Sequence, residues 1–327
     1  PNNGPLNHYK RLYVFGAGAS ANCLFGEGIK ELKKSPFRPP LGPELFASRF
    51  DNFIRKYHGL TMILPKFEAG GNDIEAILVG DWDILMKSLN VELAAQHMQL
   101  QFFLQELFEI ISNYCSENYF RYSLPNLFVD KLFHHKYADN KPVIVSFNYD
   151  TILDNAFENY LKQDFTHISQ YLEQKNDNKF LMFKPHGSWN WGWEFDKSKI
   201  VDSRNNIPEW IYNTRKTPSF VYYKLLGNDM FSMEGWGIEA SNHYHRIGRI
   251  TPNRNKIKVI EKGKKYFPAL LLPYRDKDEF VMPYSHQIQL ESALSNVEEL
   301  VLIGWKGNEK LFNTKLRDKA DKLKKIT

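Results

Sequence analysis

Apolar residues in this chain fall into two kinds of run. Short continuous runs rich in Val, Ile, Leu and Phe occupy residues 11–15 (RLYVF), 142–147 (PVIVSF), 180–183 (FLMF), 256–260 (KIKVI), 268–273 (PALLLP) and 299–305 (ELVLIGW). Runs of this length and composition predict strands. From about residue 44 to 138 the spacing turns helical: LQFFLQELFEII (100–111) sets Leu100, Phe103, Leu104, Leu107 and Ile111 on one face. Residues 151–162, 286–297 and the charged 308–325 read as further helices. Residues 35–43 (SPFRPPLGP) hold four prolines and exclude regular structure. Residues 190–255, rich in Trp, Tyr, Asn and Gly, read as irregular. Apolar strands that each lead into a helix predict a parallel sheet covered on both faces. The expected fold is α/β, a Rossmann-like doubly wound parallel sheet in a single domain over 1–327. It would carry a helical insertion at about 44–138 and an irregular, aromatic-rich one at about 190–255. No strand is expected after the last helix, so the fold would stop at an edge or continue in a longer chain, with any sensor or partner domain outside these residues.

Composition narrows this little. The 43 Lys and Arg stand against 38 Asp and Glu, a net charge of +5 that does not indicate nucleic acid. At 43% hydrophobic and 25% charged, disorder, collagen and coiled coil are excluded as the main description. Aromatics are abundant (24 Phe, 17 Tyr, 7 Trp), which fits a large core, a flat-ring ligand or a partner surface. The two cysteines, Cys23 and Cys115, are too few for a disulfide framework or a four-thiolate zinc site, and suggest a reducing, cytoplasmic setting. No apolar run approaches the ~18 residues of a membrane span, and the first ten residues have no apolar signal core.

Three short motifs follow predicted strand ends, where parallel sheets bind ligands. Gly16-Ala17-Gly18-Ala19-Ser20-Ala21 reads as a glycine turn opening a helix, a setting for phosphate or simply for a tight turn. A dehydrogenase would place an acidic residue about 20 positions on, to hold a ribose. Residues 36–40 are Pro-Phe-Arg-Pro-Pro, which argues against one. Ser146-Phe147-Asn148-Tyr149-Asp150 brings an amide and a carboxylate to a strand end, although Asp150 also suits the cap of the following helix. Lys184-Pro185-His186-Gly187 places a histidine where proton transfer is possible, the alternative being a structural histidine bonded in a loop. His243 and His245 find no partners at zinc spacing, so no metal is expected.

In their order, GAGAS at 16–20, Asn148-Tyr149-Asp150, His186-Gly187 and Ile303-Gly304-Trp305 resemble the sirtuin-like NAD-binding family. The wording SFNYDTILDNAF, KPHGSWNW and VLIGW is similar to the sirtuin-like NAD hydrolases of bacterial antiphage defence, with Ser146 before Phe147 and with Trp305 where that branch has Tyr. Two cysteines cannot make the four-cysteine zinc module of deacylating sirtuins, and Asn22 to Gly28 replaces their Ala-Gly-Ile-Pro-Asp-Phe-Arg stretch.

The resemblance implies NAD as substrate and nicotinamide and ADP-ribose as products. It assigns Gly16, Ala17, Gly18, Ala19 and Ser20 to the pyrophosphate, and Phe147, Gly304 and Trp305 to the rest of the dinucleotide. Asn148 would position ribose and water, Asp150 would orient the carboxamide or lend negative charge, and His186 would act as general base. An NAD-depleting effector must be restrained, which implies a homo-oligomer or a regulatory partner protein. The lysines and arginine of 306–325 are candidates for such contacts, or simply a solvated helix face. An NAD-dependent protein deacylase and a non-catalytic sensor of NAD or ADP-ribose are the alternative functions.

Overall fold

A computed structural model of the chain describes residues 10–69, 78, 91–119, 123–134, 141–163, 165, 168–172, 180–195, 235–238, 244–247, 265–272 and 280–327. The β-branched and aromatic run at the start forms β1 (Arg11–Phe15) and leads through Gly16 into the short α1 (Ala17–Ala21). Helices α2 (Glu27–Lys34), α3 (Asp51–Ile54), α4 (His58–Ala69), α5 (Val91–Asn118) and α6 (Leu124–His134) come next, then β2 (Pro142–Ser146) and α7 (Ile152–Leu161). The proline-rich 35–43 forms no helix or strand beyond the start of a 3-10 turn at Gly42–Glu44. β3 (Leu181–Phe183), β4 (Gly187–Phe195), β5 (Gly235–Ile238), β6 (Tyr244–Ile247), β7 (Lys265–Leu270), α8 (Tyr284–Leu294), β8 (Glu299–Ile303), α9 (Lys310–Lys319) and β9 (Lys325–Ile326) complete the order.

The protein is mixed α/β, with a five-stranded sheet in the order β3-β2-β1-β8-β9 whose pairings are all parallel. Successive residues of a strand face opposite sides, and Leu12 to Phe15 and all of β2 are buried, so both faces of the central strands are covered. On one of them the rings of Tyr13 and Phe15 pack edge-on to Phe128 of α6. The chain builds outward from β1 to β2 and β3, then returns to its other side with β8. The carboxyl ends of β1 and β8 therefore flank the point where strand order reverses, the usual ligand position in open α/β sheets.

Three expectations need correction. A strand does follow the last helix: β9 pairs with β8, and backbone bonds from Leu302 N to Thr327 O and from Thr327 N to Leu300 O hold it. Residues 190–195 are not irregular but belong to β4, which joins β5, β6 and β7 in a second sheet, order β5-β6-β4-β7, with antiparallel pairing. The PALLLP run accordingly contributes to this second sheet and not to the parallel one. The expected strand at 256–260, His243, parts of the 44–138 stretch and most of 190–255 lie outside the described residues.

Helix α5 connects the two halves. The apolar face read from its sequence is fully buried, and Gln101 and Gln105 on its other side are buried too. These glutamines donate to Leu270 O (3.1 Å) and Trp189 O (3.0 Å), satisfying carbonyls of the second sheet. Cys23 and Cys115 are buried free thiols that hydrogen-bond to each other, and that contact together with burial pushes the Cys115 thiol up. Among the described residues no helix is long and apolar enough to cross a membrane. Several of the late lysines are engaged within the chain: Lys315 with Glu291, Lys322 with Asn296, Lys324 with Glu298 and Lys325 with Glu299.

Candidate functional site

The Gly16–Ser20 loop lies against the loop that leaves β8. Gly16 N donates to Ile303 O (3.1 Å), Gly18 N to Gly304 O (3.0 Å) and Ala19 N to Gly16 O (2.9 Å). A Cβ at Gly16 would come within 2.7 Å of Gly304 O and Trp305 Cα, and one at Gly18 within 2.9 Å of Gly304 O. The two glycines are thus required by backbone-to-backbone packing, and three amides that might have cradled an anion are engaged. Ala17, exposed, opens α1, and Ala19 packs on the core.

Asn148 sits one residue past the point where Phe147 N bonds Phe15 O (3.0 Å) and extends the sheet. Its Nδ2 donates to Gly16 O (3.0 Å) and to Ser20 Oγ (2.8 Å). A carbonyl oxygen only accepts, so the group facing Gly16 must be the NH2, and the orientation of the carboxamide is fixed. Both N–H bonds are spent on the glycine loop, and Oδ1 is the atom left to accept a hydrogen bond. Ser20 passes the contact on by hydrogen bonding Asp150.

Asp150 is 3% exposed, and its Oδ1 accepts from Ile152 N (3.1 Å), the first residue of α7, as a capping group would. Burial pushes its carboxyl up, opposed by the nearby Lys184 ammonium and by the hydrogen bonds from Ser20 and Ile152. Lys184 is wholly buried and reaches Asp154 Oδ2 (2.9 Å) and the backbone oxygen of Asp150 (2.7 Å). Tyr171 OH completes the cluster with a 2.5 Å bond to Asp154 Oδ1. This ion pair stitches the end of β3 to the turn that carries Asn148. Ser188 Oγ and Trp189 N, both bonded to Tyr149 O (3.2 and 3.0 Å), reinforce the seam.

His186, 4% exposed, follows β3 at the same end of the sheet. Its ring lies 4.9 Å from Phe147 and 6.2 Å from Tyr149. Phe147 in turn stacks on Trp305 at 5.5 Å and 12°, with Phe312 of α9 edge-on to both. The motifs expected from the sequence therefore meet around Phe147. Asn148 is joined by hydrogen bonds to the glycine loop, and His186 and Trp305 pack on the neighbouring ring. Asp150 lies behind this group, reaching it through Ser20.

Glu309, immediately before α9, was not expected. Its Oε2 lies 3.0 Å from His186 Nε2, and its side chain is 18% exposed. In sequence it is one charge in a run of charges, and only the tertiary fold brings it to the histidine. Among the described residues no three His, Cys, Asp or Glu side chains gather as a metal-binding group. No protein-family model matches the chain, and no curated protein matches it.

Proposed function

We propose that the protein is an NAD glycohydrolase built on a Rossmann-like sheet, cleaving NAD to nicotinamide and ADP-ribose. The observation that carries this reading is the locked carboxamide of Asn148. Its NH2 is held by Gly16 O and Ser20 Oγ, so it offers a hydrogen-bond acceptor at the carboxyl end of the sheet, one residue past Phe147, whose ring packs on His186. An acceptor there suits a water or a ribose hydroxyl.

Nicotinamide in NAD is a cationic pyridinium. When the glycosidic bond breaks, the electron pair stays on the ring nitrogen and nicotinamide leaves neutral without an acid. The site must instead tolerate an oxocarbenium-like sugar and aim water at the anomeric carbon, as glycosidases do. Asn148 Oδ1 orients the water or the adjacent hydroxyl. His186 takes the proton as the new C–O bond forms, and releases it to solvent. The flat pair of Phe147 and Trp305 supplies a wall for the dinucleotide. The diphosphate lies by the Gly16–Ser20 loop. Because the amides of Gly16, Gly18 and Ala19 are engaged, it meets the exposed Ala17 end of that loop and not a glycine cradle. Asp150 acts through Ser20 and keeps Asn148 in register. As an antiphage effector, such an enzyme would be held in check by self-association or a partner protein.

The test is incubation of the chain with NAD and separation of nicotinamide, ADP-ribose and cyclic ADP-ribose. His186→Ala and Asn148→Ala should each lower nicotinamide release about 10²–10⁴-fold, the usual cost of losing acid–base machinery, while keeping the native circular dichroism. Wild-type turnover in either folded variant overturns the assignment. Release that depends on an acyl-lysine peptide would point to a deacylase, and binding without turnover to a sensor.

A further inference from the structure

The glycohydrolase reading leaves the proline-rich stretch after α2 without a role, yet it carries the first of two arginines that meet on one carboxylate. Arg38 Nη2 donates to Glu44 Oε1, and Arg49 Nη2 donates to Glu44 Oε2 at 3.3 Å. Leu41 N donates to the same Oε2 at 3.1 Å. Burial, which would raise the Glu44 carboxyl, is outweighed by the Leu41 amide and the two guanidiniums, so the carboxyl lies below its usual range and is ionised at neutral pH. Two cations therefore share one anion. Both are largely covered, the Arg38 side chain being 23% exposed and that of Arg49 20%. Burial, and after it the charge of Arg38, push the Arg49 guanidinium down against the pull of Glu44. Among the described residues no second carboxylate reaches either arginine. The frame around them is pinned. Pro39 and Pro40 are buried, Phe37 packs on Tyr114 at 4.9 Å, and Phe46 stacks on Phe67 of α4 at 4.3 Å. Arg49 itself lies over the Phe50 ring at 4.5 Å. Little side-chain freedom is left to lose when a ligand arrives.

We propose that Arg38 and Arg49 form a binding site for a phosphate group, with Glu44 as the counter-charge that holds the two guanidiniums side by side. A guanidinium is a planar fork of N–H donors. Glu44 takes one nitrogen of each, and among the described residues no other acceptor meets either fork. The remaining donors carry an excess of positive charge that partial burial makes costly to leave unmatched. An anion lowers that cost. The two oxygens of a carboxylate suffice for one fork, whereas a phosphate group has a third oxygen and can meet both forks at once. The site does not depend on the glycohydrolase reading, and its chemistry is the same for free phosphate and for a phosphate carried on a nucleotide.

Calorimetric titration of the full chain with inorganic phosphate, AMP, adenosine and acetate tests it. The wild type should bind phosphate saturably. Arg38→Gln and Arg49→Gln should each weaken that binding about 10–100-fold, the worth of a hydrogen bond to a charged group. Arg38→Lys and Arg49→Lys keep the charge but lose the fork, and should fall between the wild type and the glutamine variants. Lys33→Gln, on the nearby α2, should bind as the wild type does. AMP held more than about tenfold tighter than phosphate, with adenosine alone not bound, assigns the group to a nucleotide, and equal affinities assign it to free phosphate; both outcomes support the site. The second readout needs no folded variant: in nitrogen NMR of arginine-labelled wild type, two Nε–H signals should move together along the phosphate titration. No saturable binding below roughly 10 mM phosphate overturns the proposal. So do acetate bound as tightly as phosphate, an unchanged affinity in the folded arginine variants, and arginine signals that stay still.

Discussion

Acid should unfold this protein partly through His286, a residue far from the expected chemistry in sequence. It lies on α8, 1% exposed, with neither ring nitrogen bonded. Its neighbours are the edge-on rings of Phe183 (6.4 Å) and Trp191 (6.3 Å), and Trp191 Nε1 also lacks a partner. Burial pushes the imidazole down from 6.5 to about 3. The folded value lies below the unfolded one, so the neutral ring's contribution is fully present above the unfolded value and lost as pH falls. The unfolded chain takes up a proton near pH 6.5 while the folded chain resists until about pH 3. Each pH unit within that window costs about 1.4 kcal/mol. From neutral pH to about pH 4.5 the loss is about 3 kcal/mol, roughly two units at that slope. His286→Leu removes the titration and two unsatisfied nitrogens while keeping an apolar volume in the helix, so at pH 7 it should be neutral or stabilising. The assay is urea unfolding of both proteins at pH 7 and pH 4.5. Asp150, whose raised carboxyl works in the opposite sense, is common to both and cancels in the difference. The advantage of the variant should grow by about 3 kcal/mol on acidification. Parallel stability-versus-pH curves would refute the account of His286 as a buried neutral ring.

Two further substitutions test the framework beneath the site. Lys184→Met leaves Asp154 charged and buried without its cation, and should cost about 3–5 kcal/mol in denaturant unfolding; Lys184→Met with Asp154→Leu should regain most of that, and no regain would deny the ion pair its part. Gly304 has φ +60°, and a Cβ there would sit 2.1 Å from Ala19 N, so Gly304→Ala should part the two loops and lower the melting temperature. Gly42→Ala meets nothing within 4 Å and should change stability by less than about 0.5 kcal/mol, a difference that vanishes if loop packing is not the reason for Gly304.

The parallel sheet was legible because its buried strands are unbroken apolar runs, and α1 because Gly16 and Gly18 punctuate the end of one. Other parts were legible but passed over. Trp189, Trp191, Trp193 and Phe195 alternate at the period of a strand, and that is β4. The abundance of Trp and Asn in the surrounding stretch masks the alternation. β9 gives no such signal. Lys325 and Ile326 are exposed, and backbone bonds together with the Lys325–Glu299 ion pair hold them to β8. At the site, residue types and order led to Asn148 and His186, since a polar residue after an apolar strand is conspicuous. The reason for the glycines was not visible, because it lies in residues 304 and 305, nearly three hundred positions away. Glu309 was hidden for the same reason.

The buried charges explain how two separate segments are held together at one end of the sheet. Desolvating an ammonium and a carboxylate costs several kcal/mol per ion, and their attraction often does no more than offset it. Apolar side chains of like volume would fill the space at less cost, so Lys184 and Asp154 are better understood through what they align than through net stability. Lys184 reaches one strand's neighbour through Asp154 and the turn beside Asn148 through Asp150 O, both within 2.9 Å. That fixes the end of β3, hence His186, against the turn after β2, hence Asn148. The turn is fixed in its turn to the loop after β1 by the Asn148 carboxamide, and that loop to the end of β8 by Gly18 and Gly304. Each link is a directional bond between different strand ends. An error of one residue in any strand's register would break at least one of them. The histidine, the asparagine and the aromatic wall are therefore brought together by the same contacts that define the order of the sheet.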